Sequence, residues 1–192
     1  MQYNVIHKYR IDAICKAPLY IGSAIGGKGE VLIHPVTNEP FIQSSSLAGV
    51  MRSISEKIAD NKTNILFGEA KSRAEDEPFS ESASRLRISD ATFNMETVQL
   101  ELRPRIAIDA STGTANSKDK AGSGITTGQK FDTEYIGESA KFSFDVYLYA
   151  RDNSLCDQVE AIFSKMSSTQ IGGMKTNGAG FNDENFVYRF IV

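Results

Sequence analysis

The chain has 192 residues, of which 41% are hydrophobic and 23% are charged, which is the composition of one globular domain able to bury its own core. Its net charge of −3 disfavours a protein whose whole surface attracts nucleic acid. A local nucleic-acid groove stays compatible with it, because charges act strongly only within about 10 Å at cellular salt.

Two cysteines, Cys15 and Cys156, are too few for a disulfide framework or a cysteine-based zinc site. No apolar run approaches the roughly 18 residues of a membrane span and the N-terminus lacks a signal-peptide layout, so we expect a cytoplasmic protein with no membrane partner.

Alternating and helical patterns of apolar residues define the predicted elements. Residues 3–16 alternate, with Tyr9 and Ile11 opposite Lys8 and Arg10, which predicts a half-buried strand. From 46 to about 61, apolar residues recur every three or four positions, which predicts a helix with one buried face. The same two patterns predict short strands around 86–88 and 98–102, a strand over 142–148, a helix over 153–167 and a last strand over 185–192.

Polar or glycine-rich segments at 22–30, 68–84 and 111–129 separate these elements. The third is almost free of large apolar groups, so it is predicted to be a long loop or a hairpin tip. The order strand, helix, strands, strand, helix, strand predicts an α+β fold with a ferredoxin-like or RNA-recognition-type core, βαββαβ. We therefore predict a single domain over 1–192, with insertions at about 68–84 and 103–136.

The stretch FIQSSSLAGVMR places Ser44, Ser45 and Ser46 at the start of the first predicted helix. One serine would cap one of about four unpaired N–H groups there, whereas a capping box requires Glu or Gln three residues further on. No acidic residue stands in those positions, so we expect no carboxylate to neutralise the helix N-terminus. Gly49 would let a ligand approach the first turn, and Arg52 lies a turn further along, which suits a phosphate. A plain serine cap, with small residues packed against the sheet, is the alternative.

A second candidate segment, IGGMKTNGAGF, precedes the last strand. Gly172, Gly173 and Gly178 permit backbone shapes that are closed to other residues, and Lys175 and Asn177 offer hydrogen-bond donors between them. The segment is not a P-loop, because no GK[ST] follows the glycines, and not a Rossmann turn, because a strand follows it. It either wraps a nucleic-acid backbone or is an ordinary loop.

A third candidate lies at the base of the insertion, where Arg103 and Arg105 flank a proline. The alternative is an ordinary solvated hairpin, because charged groups are common at a hairpin base.

Few residues offer acid–base or metal chemistry. His7 and His34 are the only histidines, and nothing in their spacing supports an acid–base pair. No Ser–His–Asp order and no metal-ligand cluster stands out, so we predict no metal site and no cofactor.

With these segments identified, the sequence resembles the RAMP superfamily, and within it the Cas-seven-type backbone subunit of type III CRISPR effector complexes of the Csm and Cmr kind. The segments that carry the resemblance are, in chain order, PFIQSSSLAGVMR, LFG, RLRISDA, RIAIDASTGTA with FDTEYIGESAKF, and IGGMKTNGAGF. They span nearly the whole chain in the family's order. The resemblance implies a ferredoxin-like core with a projecting β-hairpin, the thumb, in a protein whose copies stack into a helical filament along a CRISPR guide RNA.

The resemblance also implies roles for individual residues. Those implied to contact the guide RNA are Lys28, Ser44, Ser45, Ser46, Gly49, Arg52, Arg103, Arg105, Gly172, Gly173, Lys175, Thr176, Asn177 and Gly178. The insertion around 106–130 is implied to be the thumb that interrupts guide–target pairing, and its residues include Ile108, Asp109, Thr112 and Thr114. The implied partners are the guide RNA, complementary target RNA, further copies of the chain and other CRISPR effector subunits. Such binding is sequence-neutral and recognises backbone and shape.

The sequence departs from the family pattern in the glycine-rich loop. The family's loop usually has an S-R-G-x-G core, whereas Lys175, Thr176 and Asn177 precede Gly178 here. Lys175 replaces the arginine's charge but not its planar fork.

A larger departure concerns cleavage of target RNA. Family members that cut use an aspartate in the loop before the strand leading to the serine helix, and Lys28 stands at that position here. An ammonium group repels a divalent ion and does not readily activate a ribose 2′-hydroxyl. Glu30 is the nearest carboxylate and the remaining catalytic candidate. We therefore expect a structural subunit without target cleavage of its own, as in type VII and some type III-D systems, whose nuclease is recruited separately.

Two other kinds of function stay open from the sequence. One is a backbone subunit with its own metal-dependent target-RNA endonuclease activity, or a guide-RNA-processing endoribonuclease, for which the chain offers only Glu30 and two histidines. The other is a ferredoxin-like small-molecule module, which predicts an apolar pocket and no bound nucleic acid.

Overall fold

The computed structural model describes residues 5–22, 29–58, 62–68, 84–106, 117–119, 126–128, 130–173, 179–180 and 187–191, and at 105–106, 117–119, 126–128, 130–131 and 187–191 it describes the backbone alone. The strands are β1 (Val5–Ile14), β2 (Phe41–Ile42), β3 (Leu86–Ile88), β4 (Ala91–Phe93), β5 (Leu100–Ile106), β6 (Ser117–Asp119), β7 (Thr126–Gly128), β8 (Lys130–Ile136), β9 (Lys141–Ala150) and β10 (Val187–Ile191). The α-helices are α1 (Ser44–Ser55), α2 (Thr63–Phe67) and α3 (Cys156–Met166). Within the described residues, no helix is long and apolar enough to cross a lipid bilayer.

Six of the strands form one antiparallel sheet. Its order is β10-β1-β9-β4-β2, and β3 also pairs with β9. β3 and β4 pair with successive parts of β9, so together they occupy the place of one strand beside it. The order is then that of a ferredoxin-like sheet, with the fourth strand beside the first, the first beside the third and the third beside the second. The α+β, ferredoxin-like prediction is confirmed.

The pairing of β1 with β9 forms the centre of the sheet, running from Val5 opposite Ala150 to Ile14 opposite Lys141. Alternate residues of both strands are buried, as the period-2 pattern predicted. α1 and α3 cover this buried face and contact each other. Tyr9 of β1 packs edge-on against Phe163 of α3, with ring centroids 5.2 Å apart.

Both predicted long helices are present, with shifted ends. α1 begins at Ser44, two residues before the predicted start, and ends at Ser55 rather than near 61. Beyond its end the backbone continues in a turn, in which the N–H of Ile58 donates to the Ser55 carbonyl. Ile58 still packs against the core, so the apolar spacing extends past the helix itself. The buried residues of α1 are Leu47, Met51, Ile54 and Ser55.

β5 corrects one part of the predicted core. It is a strand, as its alternation predicted, but it pairs with β8 in a separate two-stranded ribbon and not with the main sheet. Leu100 and Leu102 are accordingly 56% and 62% exposed. The position in the main sheet that was predicted for β5 is taken by β4, a strand of three residues that is too short for an alternating pattern to detect. β6 and β7 pair with each other, so of the two predictions for 111–129 the hairpin is confirmed for the described residues.

Several predicted segments lie outside the described residues. They are most of the loops at 22–30 and 68–84 and the stretch 107–116, which contains the implied thumb residues Ile108, Asp109, Thr112 and Thr114. The division into a single domain with two insertions stays a prediction.

Replacing Leu47 by alanine tests whether α1 is held by its buried face. Leu47 is fully buried, so Leu47→Ala removes apolar contacts and leaves a cavity, and we expect the free energy of unfolding to fall by about 2–5 kcal/mol. Val36→Ala is the matched control, because Val36 is 85% exposed, and it should change that free energy by less than about 0.5 kcal/mol. Urea denaturation followed by circular dichroism measures both, and equal losses would contradict this packing.

Candidate nucleic-acid interface

The N-terminus of α1 is organised by residues that the serine pattern did not indicate. Gln43 is the N-cap, its backbone is extended, and its side chain makes no capping hydrogen bond. Its carbonyl accepts hydrogen bonds from the N–H groups of Ser46 and Leu47, at 3.0 and 3.2 Å. The three serines therefore form the first turn itself, and the plain serine cap is wrong.

The expectation that no carboxylate reaches this helix end is also wrong. The N–H of Ser44 donates to Oδ1 of Asp90, at 2.7 Å. Asp90 lies in the corner between β3 and β4, which is held against β9 because the N–H of Ser89 donates to the Asp145 carbonyl and the N–H of Asp145 donates to Ser89 Oγ. The carboxylate of Asp90 therefore already lies at the helix N-terminus. An external anion would bind more favourably to side chains further along the first turns.

Two clefts flank the start of α1 and meet at Gly49. The first, the serine cleft, is lined by Ser44, Ser45, Ala48, Gly49, Arg52, Phe67, Ser84, Leu86 and Ile88. The second, the glycine cleft, is lined by Tyr20, Ile21, Gly22, Ser46, Gly49, Val50, Ser53, Gly172 and Gly173. The structure therefore brings together the serine run and the glycine-rich segment, two candidates that the sequence separates by more than a hundred residues.

Arg52 supplies the positive charge of the serine cleft. Its side chain is 27% exposed, and its Nε lies 3.4 Å from Oε1 of Glu56, one turn further along the helix. Pairs of this i,i+4 kind on a helix surface contribute only a few tenths of a kcal/mol, and Glu56 is 55% exposed, so the guanidinium can exchange Glu56 for another anion at little cost.

Gly49 is the residue shared by both clefts, and packing within the protein does not require it. A Cβ placed there would meet no atom within 4 Å. Glycine inside a helix costs about 0.5–1 kcal/mol relative to alanine. The chain thus carries a helix-destabilising residue at a position where its own fold would accept a side chain, and the space above Gly49 is open.

Gly172 and Gly173, in contrast, are built into the fold. The N–H of Gly173 donates to the Tyr20 carbonyl at 2.9 Å, and the N–H of Gly180 donates to the Pro18 carbonyl at 3.0 Å. Gly172 has φ +84°, and a Cβ there would collide with the Tyr20 carbonyl. Both ends of the glycine-rich segment are therefore anchored on 18–20. Its predicted binding residues Lys175, Thr176, Asn177 and Gly178 lie outside the described residues.

A row of aromatic contacts joins the ribbon to the glycine cleft. Tyr20, which lines that cleft, lies against Tyr135 of β8, with ring centroids 5.6 Å apart. Arg103 of β5 lies over the Tyr135 ring, with its Cζ 5.3 Å from the ring centroid. Its Nη2 is 2.7 Å from Oε2 of Glu101. Arg103 thus continues the surface that starts at the clefts, although part of its charge is matched by Glu101. Of Arg105, the structure describes the backbone in β5, opposite Phe131.

The catalytic candidates do not join this surface. Glu30 is exposed beside β8 and lines neither cleft; the neighbouring N–H of Val31 donates to Glu134 Oε2. Lys28 lies outside the described residues. His7 is buried on the core side of β1, and Nδ1 of His34 accepts hydrogen bonds from the N–H groups of a turn. No group of three or more His, Cys, Asp or Glu side chains able to hold a metal ion occurs among the residues described.

Comparison with known proteins gives the family. The model of the RAMP superfamily matches residues 13–183. The chain belongs to the RAMP superfamily. Its structure is similar to a chain in the cryo-EM structure of the type III-B Cmr-beta bound to cognate target RNA, with a TM-score of 0.67 and 14% sequence identity. The similarity covers 97% of this RAMP chain and 61% of the other, so this chain spans about three fifths of its relative's length. No curated protein matches.

The sequence pattern did not indicate two residues that lie at the clefts and the start of α1. Tyr20 joins the glycine cleft because its carbonyl accepts from Gly173, and Asp90 caps α1 from 46 residues away. Neither has a local signal, since both act through contacts between distant segments.

Alanine substitutions at two glycines separate a glycine kept for a ligand from one needed by the fold. Gly49→Ala should raise the free energy of unfolding by about 0.5–1 kcal/mol, because the helix gains a better residue without a clash. Gly172→Ala should lower it by more than about 1 kcal/mol, because φ is positive and a carbonyl blocks the Cβ. Urea denaturation measures both, and a destabilised Gly49→Ala variant would contradict the open space above that residue.

Proposed function

We propose that this RAMP protein is a repeating backbone subunit of a CRISPR ribonucleoprotein effector, that it binds guide RNA along the RNA backbone, and that it shapes the guide–target duplex. The observation that carries the proposal is the meeting of the serine and glycine clefts above Gly49, a helix residue whose missing side chain the fold does not need.

The chemistry of the two clefts favours a phosphate backbone over a small apolar ligand. Serine hydroxyls donate hydrogen bonds to phosphate oxygens, and Arg52 adds a charge that pairs well with phosphate. These groups read no base, which is what a subunit that serves any guide sequence requires. The clefts are also open and lie on either side of one helix, whereas a small-molecule site is usually an enclosed apolar pocket.

The overall charge of −3 agrees with binding confined to one groove. Membership of the RAMP superfamily supports RNA as the ligand, and so does the structural similarity to a chain of a Cmr-beta bound to target RNA. We further propose that the partners are guide RNA, complementary target RNA, other copies of this chain and other effector subunits.

We also propose that this subunit does not cut the target. By the motif resemblance, Lys28 stands where cutting family members have their catalytic aspartate, and an ammonium group there would repel a divalent metal ion. Glu30, the carboxylate that would have to replace it, lines neither of the two clefts that flank α1.

Reversing the charge of Arg52 tests the RNA groove. Arg52→Glu should raise the Kd for a fluorescein-labelled oligouridylate of about 20 nucleotides by about tenfold, because a phosphate contact becomes a repulsion. The slope of log Kd against log salt concentration should lose about 0.7, the value of one single-strand phosphate contact. Fluorescence anisotropy at several salt concentrations measures both quantities.

Lys57→Glu is the charge-matched control, because Lys57 is exposed in the turn after α1 and lines neither cleft. Gly49→Ala should also weaken binding, although it stabilises the fold, because its methyl group occupies the space above the helix. Equal effects of the Arg52 and Lys57 reversals would mean that net charge alone matters, and the groove would be rejected.

Cleavage is tested on the assembled effector with labelled complementary RNA and Mg²⁺. We expect the target to stay intact when this chain is the only candidate nuclease present, and Glu30→Ala to change nothing. Cuts at regular intervals that disappear in the Glu30→Ala complex would show that this carboxylate replaces the family's aspartate.

A further inference from the structure

The groove around α1 does not end at the serine cleft. A third cleft, the tyrosine cleft, is lined by Ser44, Arg87, Ile88, Ser89, Asp90, Tyr147 and Tyr149. It shares Ser44 and Ile88 with the serine cleft, which in turn shares Gly49 with the glycine cleft. The three clefts therefore form one path that starts at the glycine-rich segment, passes the first turn of α1 and reaches the face of the sheet that the helices leave uncovered.

Two partly exposed tyrosines stand at the end of this path on β9. In the sheet, Tyr147 is directly opposite Lys8 of β1 on one side and Arg87 of β3 on the other. Tyr149 is opposite Ile6, which is 57% exposed. Residues that face each other across strands lie on the same face of a sheet, so two tyrosines, two cations and one aliphatic side chain share this open surface.

An ion-pair network holds Lys8 and Arg10 in place beside the tyrosines. Asp145 Oδ2 lies 3.2 Å from Lys8 Nζ, and Asp145 Oδ1 lies 3.0 Å from Arg10 Nη1. Partial burial works to raise the pKa of the Asp145 carboxyl, but the hydrogen bonds and charges of Arg10 and Lys8 outweigh it and hold that pKa below its ordinary value. Lys8 Nζ also lies 5.4 Å from the centroid of the Tyr147 ring. Lys8 thus covers one side of that ring, and the ring's remaining surface lines the cleft.

Arg87 is the cation that remains available in the tyrosine cleft. Among the described residues it takes part in no ion pair. Among the described residues that line the cleft, the one carboxylate is that of Asp90, and its Oδ1 accepts a hydrogen bond from the N–H of Ser44. A guanidinium beside two aromatic rings is a combination that suits a nucleotide, because the rings stack on a base while the guanidinium pairs with a phosphate.

We propose that the tyrosine cleft is a base-stacking subsite, in which unpaired bases of an RNA strand stack on Tyr147 and Tyr149 while Arg87 holds a phosphate between them. This inference rests on the proposed function, since the strand reaches the subsite from the serine cleft. The subsite differs from the two clefts beside Gly49 in what it binds: they hold backbone, and it holds base faces. Continuity with the phosphate path favours RNA over a protein segment as the occupant.

Binding to a labelled oligouridylate of about 12 nucleotides tests the subsite in the full chain at about 50 mM salt. Tyr147→Ala and Tyr149→Ala should each raise the Kd about fivefold or more, which is the lower range for loss of one stacked base. Tyr147→Phe should bind like the wild type, because it keeps the ring. Lys141→Ala is the control, since Lys141 lies exposed on the same strand outside the cleft.

Photo-crosslinking gives a second measurement that does not depend on a variant's fold. The wild-type chain is irradiated with the same oligouridylate containing 4-thiouridine, and crosslinked peptides are identified by mass spectrometry. We expect crosslinks at Tyr147 or Tyr149 in addition to those near the serine helix.

The possible outcomes distinguish a failure of the subsite from a failure of the proposed function. If Arg52→Glu weakens binding while the tyrosine variants bind normally and no crosslink falls on β9, the subsite is rejected and the phosphate groove stands. If the wild-type chain binds no oligouridylate, both are rejected. If the tyrosine variants bind RNA normally but no longer assemble into multi-copy particles, the cleft is a protein interface and the inference is wrong.

Discussion

The pairing of β1 with β9 is the interaction on which the rest of this structure depends. It aligns residues from Val5 opposite Ala150 to Ile14 opposite Lys141, so the alternation of one strand is locked to that of the other. One face then collects Tyr9, Phe144 and the other core side chains that α1 and α3 cover. The opposite face collects the ion pairs of Asp145 and the ring of Tyr147. A slip of one residue between the two strands would exchange these faces, and both the core and the open surface would be lost.

The start of α1 is where the core and the candidate binding surface meet. Its buried side, with Leu47 and Met51, belongs to the core, while its other side offers serines, Gly49 and Arg52 to the clefts. The first N–H of α1 already donates a hydrogen bond to Asp90. A phosphate would therefore bind more favourably beside Arg52 and the serine hydroxyl groups than at the helix end. Binding at such a site would need few charges, so a net charge of −3 is compatible with the proposed nucleic-acid groove.

Periodicity predicted much of the fold because the long elements each have one side in the core. The alternation in β1 and β9 and the three-to-four spacing in α1 and α3 all report burial, and all four elements are present. The same pattern misplaced β5, because Leu100 and Leu102 alternate in a ribbon that buries neither of them. It also missed β4 and the capping of α1 by Asp90, since three residues carry no period and a contact across 46 positions leaves no local trace.

The sequence by itself determined the ferredoxin-like order of elements, the core side of each long element and the membership of the RAMP superfamily, because periodicity and motif spacing are local properties of the chain. It also supplied the serine run and the glycine-rich segment as separate candidates. Only the tertiary structure decided that they adjoin at Gly49, that Tyr20 joins them, and that the same path continues to Tyr147 and Tyr149. These contacts depend on the register of the sheet and on the packing of α1. Both bring together residues that are far apart along the chain, so no local pattern reports them.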